Sequence, residues 1–468
     1  MTFIGIDLGT SFIKGAVLDL EARQLKHIHR PPFPNQLPNP NPLLIEFNPR
    51  EIISAVQNLL GTLFTAAPEC SGIVMCTQMH GMVLMNAQGR MLSPCLTWRD
   101  QRAMMPHPSG AGTFFDVMTR RISTEQRRQL GNELRPGTPA NFLFWLAERG
   151  ELEAGLVPVS MADFVLSALC GSPPSVEPTN AMAYGLLNLE TMDWHREVIE
   201  ALGLSRLHWP PLRPEGEIVG RLNLGSTTVP CYAPVGDYQC ALLGALLEMG
   251  ELSLNISTGS QVSRLTSGLA LGDYQTRPFF NGKFLNTFTH IPAGRALDVL
   301  VDLLSEWARG QRIDLPDPWR YIAQEALRAA DSDLRADLNF FASPFGDRGA
   351  IAAIRQDNLT VGRLFRAAFH NMTERYYDCA LRIWPDRSWQ RLVFSGGLIG
   401  KLEALRQIIQ KQFQTDYRLA PYAEDTLAGL LVLALAFSGR AASIDQAMND
   451  LRMSSRYVLS SSGTTVRR

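Results

Sequence analysis

The sequence predicts an α/β protein built from two related domains with a cleft between them. Three observations carry that prediction. Strand-like apolar runs alternate with helix-like segments along the chain, the pattern of sheets covered by helices. A strand–turn–strand device at the N-terminus returns about half a chain later, and a device used twice argues for two related units. The length, 468 residues, accommodates about two to four domains at roughly 100–200 residues each.

Composition excludes several functions. With 46% hydrophobic and 19% charged residues, the chain has enough apolar material to bury, so disorder is ruled out for most of it. Forty-four basic residues balance 45 acidic ones, for a net charge of −1. Nothing in that balance supplies affinity for a phosphate backbone, so no nucleic-acid partner is expected. The seven cysteines are odd in number and show no C-x-x-C spacing. That argues against a disulfide framework or zinc ribbon and for a reducing cytoplasm. Asp7 interrupts the only apolar run at the N-terminus, so no signal peptide is read there. The longest apolar stretch, Leu427–Phe437, is too short to span a bilayer and reads as a buried helix. A cytoplasmic protein without membrane contact is expected, with room for a homodimer.

In chain order, the start from Phe3 to Leu18 reads as two β-runs joined by a tight turn at Gly9. Segment 31–42 holds six prolines and three asparagines and reads as an exposed loop. A helix follows: Asn48 suits the N-cap, Pro49 the first helical position, and Glu51 can close a capping box. Ile52, Ile53, Val56, Leu59 and Leu60 fall on one face. A short strand from Ser71 to Cys76 leads into Thr77-Gln-Met-His-Gly81. Later, an apolar segment ends at Gly236 and a helix begins near Asp237. The second strand–turn–strand spans Leu252–Leu265. Arg391-Leu-Val-Phe-Ser-Gly-Gly397 ends a strand at a glycine pair, and a helix runs from about Leu402 to Phe413. The tail 454–468, rich in Ser, Thr and Arg, reads as flexible.

Several motifs carry chemistry. In Asp7-Leu-Gly-Thr-Ser11, Gly9 lets backbone N–H groups approach a phosphate, and the Thr10 and Ser11 hydroxyls add donors. Asp7 suits Mg²⁺ through water, and Lys14 on the outgoing strand is within reach of a phosphate. An ordinary polar hairpin is the alternative. Ser257-Thr-Gly-Ser-Gln261 offers the same chemistry on the opposite wall, and a clamped triphosphate needs donors on both sides. The pair Gly396 and Gly397 allows a ring or ribose to lie against the backbone, and taken alone it reads more simply as a tight strand–helix turn. Gln78, His80, Trp98 and Asp100 supply the amide, imidazole, apolar face and carboxylate that a polyhydroxy substrate needs. Asp237 reads either as a helix N-cap or as a general base taking a proton from a sugar hydroxyl.

The order Asp7-x-Gly9-Thr10, Gln78-Met79-His80-Gly81, Trp98-x-Asp100, Gly236-Asp237, Ser257-Thr258 and Gly396-Gly397 resembles the FGGY carbohydrate kinases over about Phe3 to Gly439. Leu96-Thr-Trp-Arg-Asp-Gln-Arg102 and Gly236-Asp-Tyr-Gln-Cys240 resemble that family's sedoheptulokinase subgroup, as does Leu254-Asn-Ile-Ser-Thr-Gly-Ser-Gln261. The resemblance implies two actin-like ATPase (ribonuclease H-like) domains: a sugar-binding domain over 1–243 and a nucleotide-binding domain over 244–453. It implies ATP and Mg²⁺, with Asp7 on the metal. Gly9, Thr10, Ser11, Lys14, Thr258, Gly259, Gly396 and Gly397 would line the nucleotide. Gln78, Met79, His80, Trp98, Asp100 and Gln239 would line a ketose, and Asp237 would be the base. Arg99 and Leu398-Ile-Gly-Lys401 depart from the family at the sugar and adenine ends. Sedoheptulose is the first substrate implied. A xylulokinase, a ribulokinase-like enzyme and a non-catalytic ATP-binding regulator are the alternatives.

Overall fold

The computed structural model describes residues 1–461 apart from 87, 225, 226, 342 and 344, with the side chains of 224 and 454–461 also left out. Seven strands build the first sheet: β1 (Thr2–Leu8), β2 (Ile13–Asp19), β3 (Gln24–His29), β4 (Ile73–Thr77), β5 (Ile218–Leu224), β6 (Thr227–Tyr232) and the short β7 (Val235–Gly236). Their order is β5-β6-β4-β1-β2-β3, with β7 also on β4. The second sheet holds β8 (Glu251–Ile256), β9 (Gly259–Thr266), β10 (Gln275–Pro278), β11 (Phe284–Pro292), β12 (Arg391–Ser395) and β13 (Tyr417–Leu419), in the order β10-β11-β9-β8-β12-β13.

The two sheets repeat one plan. β1 runs antiparallel to β2 and parallel to β4. β8 runs antiparallel to β9 and parallel to β12. Each central strand is thus followed by a hairpin mate, and a parallel neighbour arrives after a long crossover. The degenerate likeness of the two strand–turn–strand segments is a likeness of topology.

Helix α1 (Pro49–Ala66) buries Ile52, Val56, Leu59 and Leu60, with Ile53 only partly covered. Asn48 caps it through the Arg50 N–H at 3.1 Å. Glu51 meets the Asn48 side-chain amide at 3.0 Å rather than the Asn48 backbone, so the cap is single and the expected capping box does not form. Helix α2 (Asp237–Gly244) follows β7; α3 (Val361–Ile383) and α4 (Glu403–Phe413) pack on each other in the second half. Helix α5 (Asp425–Phe437) is buried from Thr426 to Leu435, as a helix apolar all round must be. It packs on β1, β2 and β4, and crosses α2. That crossing is very close: a Cβ on Gly244 would overlap the Asp425 carbonyl oxygen, and one on Gly429 the Cys240 carbonyl oxygen. Helix α6 (Ile444–Ser461) closes the chain, so the segment expected as a flexible tail from 454 begins within a helix. Residues 462–468 lie outside the described residues.

Candidate active site

The first turn lies where β1 meets β2, with Asp7 opposite Lys14 in the register. Four residues, Gly9–Phe12, make the connection rather than Gly9 alone. The Asp7 side chain is buried. Its Oδ2 accepts from Thr426 Oγ1 at 2.7 Å and faces Lys14 Nζ at 3.4 Å, while Oδ1 is buried without a hydrogen-bond partner. Burial raises the Asp7 pKa against the pull of Lys14. An orphaned carboxylate oxygen here fits an oxygen-seeking divalent cation. No cluster of three His, Cys, Asp or Glu able to enclose a metal occurs among the described residues, so water and nucleotide oxygens would complete the shell. Lys14 is divided between Asp7 and Glu424 Oε2, the latter at 3.3 Å. Ser11 is exposed, and Thr10 Oγ1 donates to Gln78 Oε1 at 3.2 Å.

The expected sugar residues divide by contact. Gln78 is buried and spends its amide on the first turn, donating to the Gly9 carbonyl at 3.1 Å. Trp98 stands 42% exposed and donates from Nε1 to Thr10 Oγ1 at 3.1 Å, leaving its ring open to a ligand. Asp100 is fully buried; it accepts from the Ile45 N–H at 2.9 Å and from Arg102 Nε and Nη2 at 2.8 Å each. Its oxygens therefore hold a loop together. His80 sits in the left-handed region at φ +70°, a placement that costs a non-glycine residue energy. Burial, chiefly, pushes its pKa down to about 4, so the imidazole is neutral at physiological pH. Gln239 lies buried; Nε2 donates to the Pro278 carbonyl at 3.3 Å, and Oε1 is unpartnered.

Asp237 is the first residue of α2, and the N-cap is Gly236. The N-cap reading of Asp237 is therefore corrected: its carboxyl sits in the first turn, favoured by the helix dipole and facing the Tyr238 N–H. It is partly exposed. Burial first, then the like charge of Asp7, raises its pKa to about 7, against the Tyr238 N–H and Arg277. Asp425, at the start of α5, is raised to about 6, chiefly by burial and in part by Asp7. Three carboxyls from β1, α2 and α5 thus feel one another, the arrangement in which pKa values are tuned for proton transfer.

The second turn, between β8 and β9, carries no charge. Ser257 Oγ accepts from the Gly397 N–H at 3.2 Å. The Gly294 and Arg295 N–H groups close on the Ser257 and Thr258 carbonyls at 3.0 and 2.9 Å, and Thr258 and Gly259 are exposed. The two glycines of the pair differ. Gly396 has φ +92°, and a Cβ there would lie 2.5 Å from the Ile256 carbonyl oxygen. Gly397 has nothing within 4 Å of the Cβ it lacks, so the space beside it is open.

Five residues come into the site without having been singled out in the sequence. Asp425 and Thr426 stand directly before the apolar run Leu427–Phe437, and acid at a helix start was the available signal. Glu133, Arg135 and Arg277 carry no local signature. Arg277 donates to Glu133 through Nε at 2.6 Å and Nη2 at 3.2 Å, and Arg135 Nη2 reaches Glu133 Oε2 at 3.1 Å. His80 Nε2 stands 3.7 Å from Glu133 Oε2. Residue 277 belongs to the second sheet, so this cluster joins the halves beside Met79 and His80.

Comparison with known proteins shows the family. The family model described as "FGGY family of carbohydrate kinases, N-terminal domain" matches residues 2–244. The chain is 22% identical over 467 residues to a sedoheptulokinase of Mus musculus, covering 88% of this chain and 92% of that one. It is 26% identical over 481 residues to a gluconokinase of Bacillus subtilis, covering 96% and 90%. Among solved structures, Plasmodium falciparum glycerol kinase with ADP superposes with a TM-score of 0.81 at 16% identity, covering 96% and 92%.

Proposed function

We propose that this chain, which belongs to the FGGY family of carbohydrate kinases and is a sugar kinase, transfers the γ-phosphoryl group of ATP to the terminal hydroxyl of a ketose. Sedoheptulose is the first candidate, giving sedoheptulose 7-phosphate. Similarity to a protein named sedoheptulokinase over 88% of the chain supports that choice. In this reading residues 1–243 bind the sugar and 244–453 the nucleotide, with Trp98, Met79 and His80 against the sugar. The name of the Bacillus subtilis relative makes a sugar acid the second candidate.

The observation that carries the reading is Asp237. A partly exposed carboxylate with its pKa near 7 is matched to its task, because a general base works best when its pKa lies near the working pH. It accepts the proton of the attacking hydroxyl. Gln78 and Trp98 hold the Thr10 turn, and Ser257 holds Gly397, so the phosphate-facing backbone is set before substrate arrives. Lys14 and Thr426 occupy one oxygen of Asp7 and leave Oδ1 for the cation. Mg²⁺, when bound, neutralises charge on the phosphate oxygens. Closure of the cleft excludes water as a competing nucleophile.

The test is a panel of sedoheptulose, xylulose, ribulose, fructose and gluconate in a coupled ADP-release assay, run on the wild type and Asp237→Asn. Sugar-dependent ADP release that Asp237→Asn abolishes supports the reading. Near-normal turnover in the variant, or no ketose-dependent release by the wild type, overturns it.

A further inference from the structure

We propose that Arg277 is a specificity-determining residue of the sugar site, reading an oxygen of the substrate that can only accept hydrogen bonds: a ketose's keto oxygen or a sugar acid's carboxylate. The proposal rests on the reading of this cleft as a sugar kinase's acceptor site.

Arg277 projects from β10 of the second sheet, and its side chain is 3% exposed. Nε and Nη2 are spent on Glu133. Among the described residues Nη1 meets only the sulfur of Met79, at 3.5 Å, and a thioether is a weak acceptor. The guanidinium carbon stands 5.5 Å from the ring centroid of Tyr238, the residue after Asp237. The under-used end of Arg277 therefore lies between Met79 and the helix start that carries the base.

The charges around it are shared. Glu133 is fully buried and shared between Arg277 and Arg135. Arg135 is otherwise engaged, with Nη1 on Thr289 Oγ1 at 3.1 Å and on His290 Nδ1 at 2.7 Å. Burial and the arginines keep His80 and His290 neutral, at about 4 and about 3. Two cations thus share one anion within this cluster, and the charge of Arg277 also reaches the Asp237 carboxyl, whose pKa it pulls down. A buried charged group with an unspent donor is costly, and a ligand oxygen removes that cost. A guanidinium has donors only, so its partner must accept. A keto or carboxylate oxygen presents no hydrogen to turn away, and bonds to a charged donor are about twice as strong as neutral ones.

A site built around such a bond rejects an analogue that lacks the group. The alditol made by reducing a ketose keeps the chain length and the terminal hydroxyl but turns the keto oxygen into a hydroxyl, which brings a hydrogen that a donor-only guanidinium must turn away. The experiment measures kcat/KM for sedoheptulose, xylulose, their alditols and gluconate in the wild type, Arg277→Gln and Arg277→Lys. Arg277→Lys keeps a charge for Glu133 should the neutral variant fold poorly. The wild type should prefer ketose or aldonate over alditol by at least ~100-fold. In both variants that preference should collapse to within about tenfold, with KM for ATP unchanged. The arm that collapses, ketose or gluconate, identifies the oxygen. A folded variant that keeps the preference, or loses ketose and alditol equally, overturns this proposal alone. Absence of turnover by the wild type with every acceptor overturns the kinase reading and this proposal with it.

Discussion

The two hairpin turns occupy matching places in matching sheets, yet they are furnished differently. The turn after β1 is acidic and densely tied: Asp7 is held by Thr426 and Lys14, and Thr10 by Gln78 and Trp98. The turn after β8 is neutral and sparsely tied, with Ser257 on Gly397 as its side-chain link. One scaffold therefore supports two kinds of work. In the proposed reading the charged turn gathers the carboxyls for a cation and a proton, and the neutral one leaves backbone and space for a nucleotide.

The largest test of that division is Asp237→Asn. Turnover should fall at least about a hundredfold, while ATP affinity, assigned to the neutral turn, should survive in calorimetry. Because Gly236 is the N-cap, Asp237→Ala should melt close to the wild type as well. A drop of many degrees in either variant would show that the acidic side is structural. Next comes the glycine pair. Gly397→Asp should fold, since a side chain has room there, and weaken ATP more than tenfold with sugar affinity intact. Gly396→Ala should instead destabilise the protein by roughly 1–3 kcal/mol, from a strained backbone alone. Equal loss of both ligands in Gly397→Asp would break the comparison.

The pH profile gives a smaller and sharper effect. With the Asp237 pKa raised to about 7 in the free enzyme, the base is protonated below that value. The sugar kcat/KM should therefore rise with pH, about tenfold per unit, and level off above 7. Asp7→Asn removes a like charge and should move the midpoint down. A profile flat from pH 5 to 8 would remove Asp237 from the chemistry. The smallest effect is expected for Ser257→Ala. Loss of one hydrogen bond costs roughly 0.5–1.5 kcal/mol, so KM for ATP should rise by up to about tenfold without change in the sugar KM.

Much of this was legible because its signals are local. The hairpins, the Asn48-Pro49 helix start, the Gly236-Asp237 boundary and the Gly396-Gly397 turn each announce themselves within a few residues. What stayed hidden is long-range. Thr426 meets Asp7 across 419 residues of chain, and Arg277 meets Glu133 across 144; neither pairing has a spacing that periodicity can reveal. Asp100 is instructive in another way. Its partner Arg102 lies two residues on, so the ion pair was within local reach. A carboxylate beside a tryptophan nevertheless reads equally well as a polyol ligand until burial is known. Lys14 shows the same limit, because only the fold brings Glu424 to it.

The close crossing of α2 and α5 has a mechanical consequence. With no side chain on Gly244 or Gly429, the two backbones touch at two points, Gly244 on Asp425 and Gly429 on Cys240, so one helix is clamped to the other rather than hinged on it. Asp425 is itself one of the clamped residues, and Asp237 stands about 4.5 Å along α2 from the Cys240 contact at about 1.5 Å per residue. A carboxyl so near a backbone contact has little lever arm, and a turn of 10° there moves it by less than about 1 Å. The two absent side chains therefore hold Asp237 and Asp425 in one register, which a methyl group at either glycine would force apart.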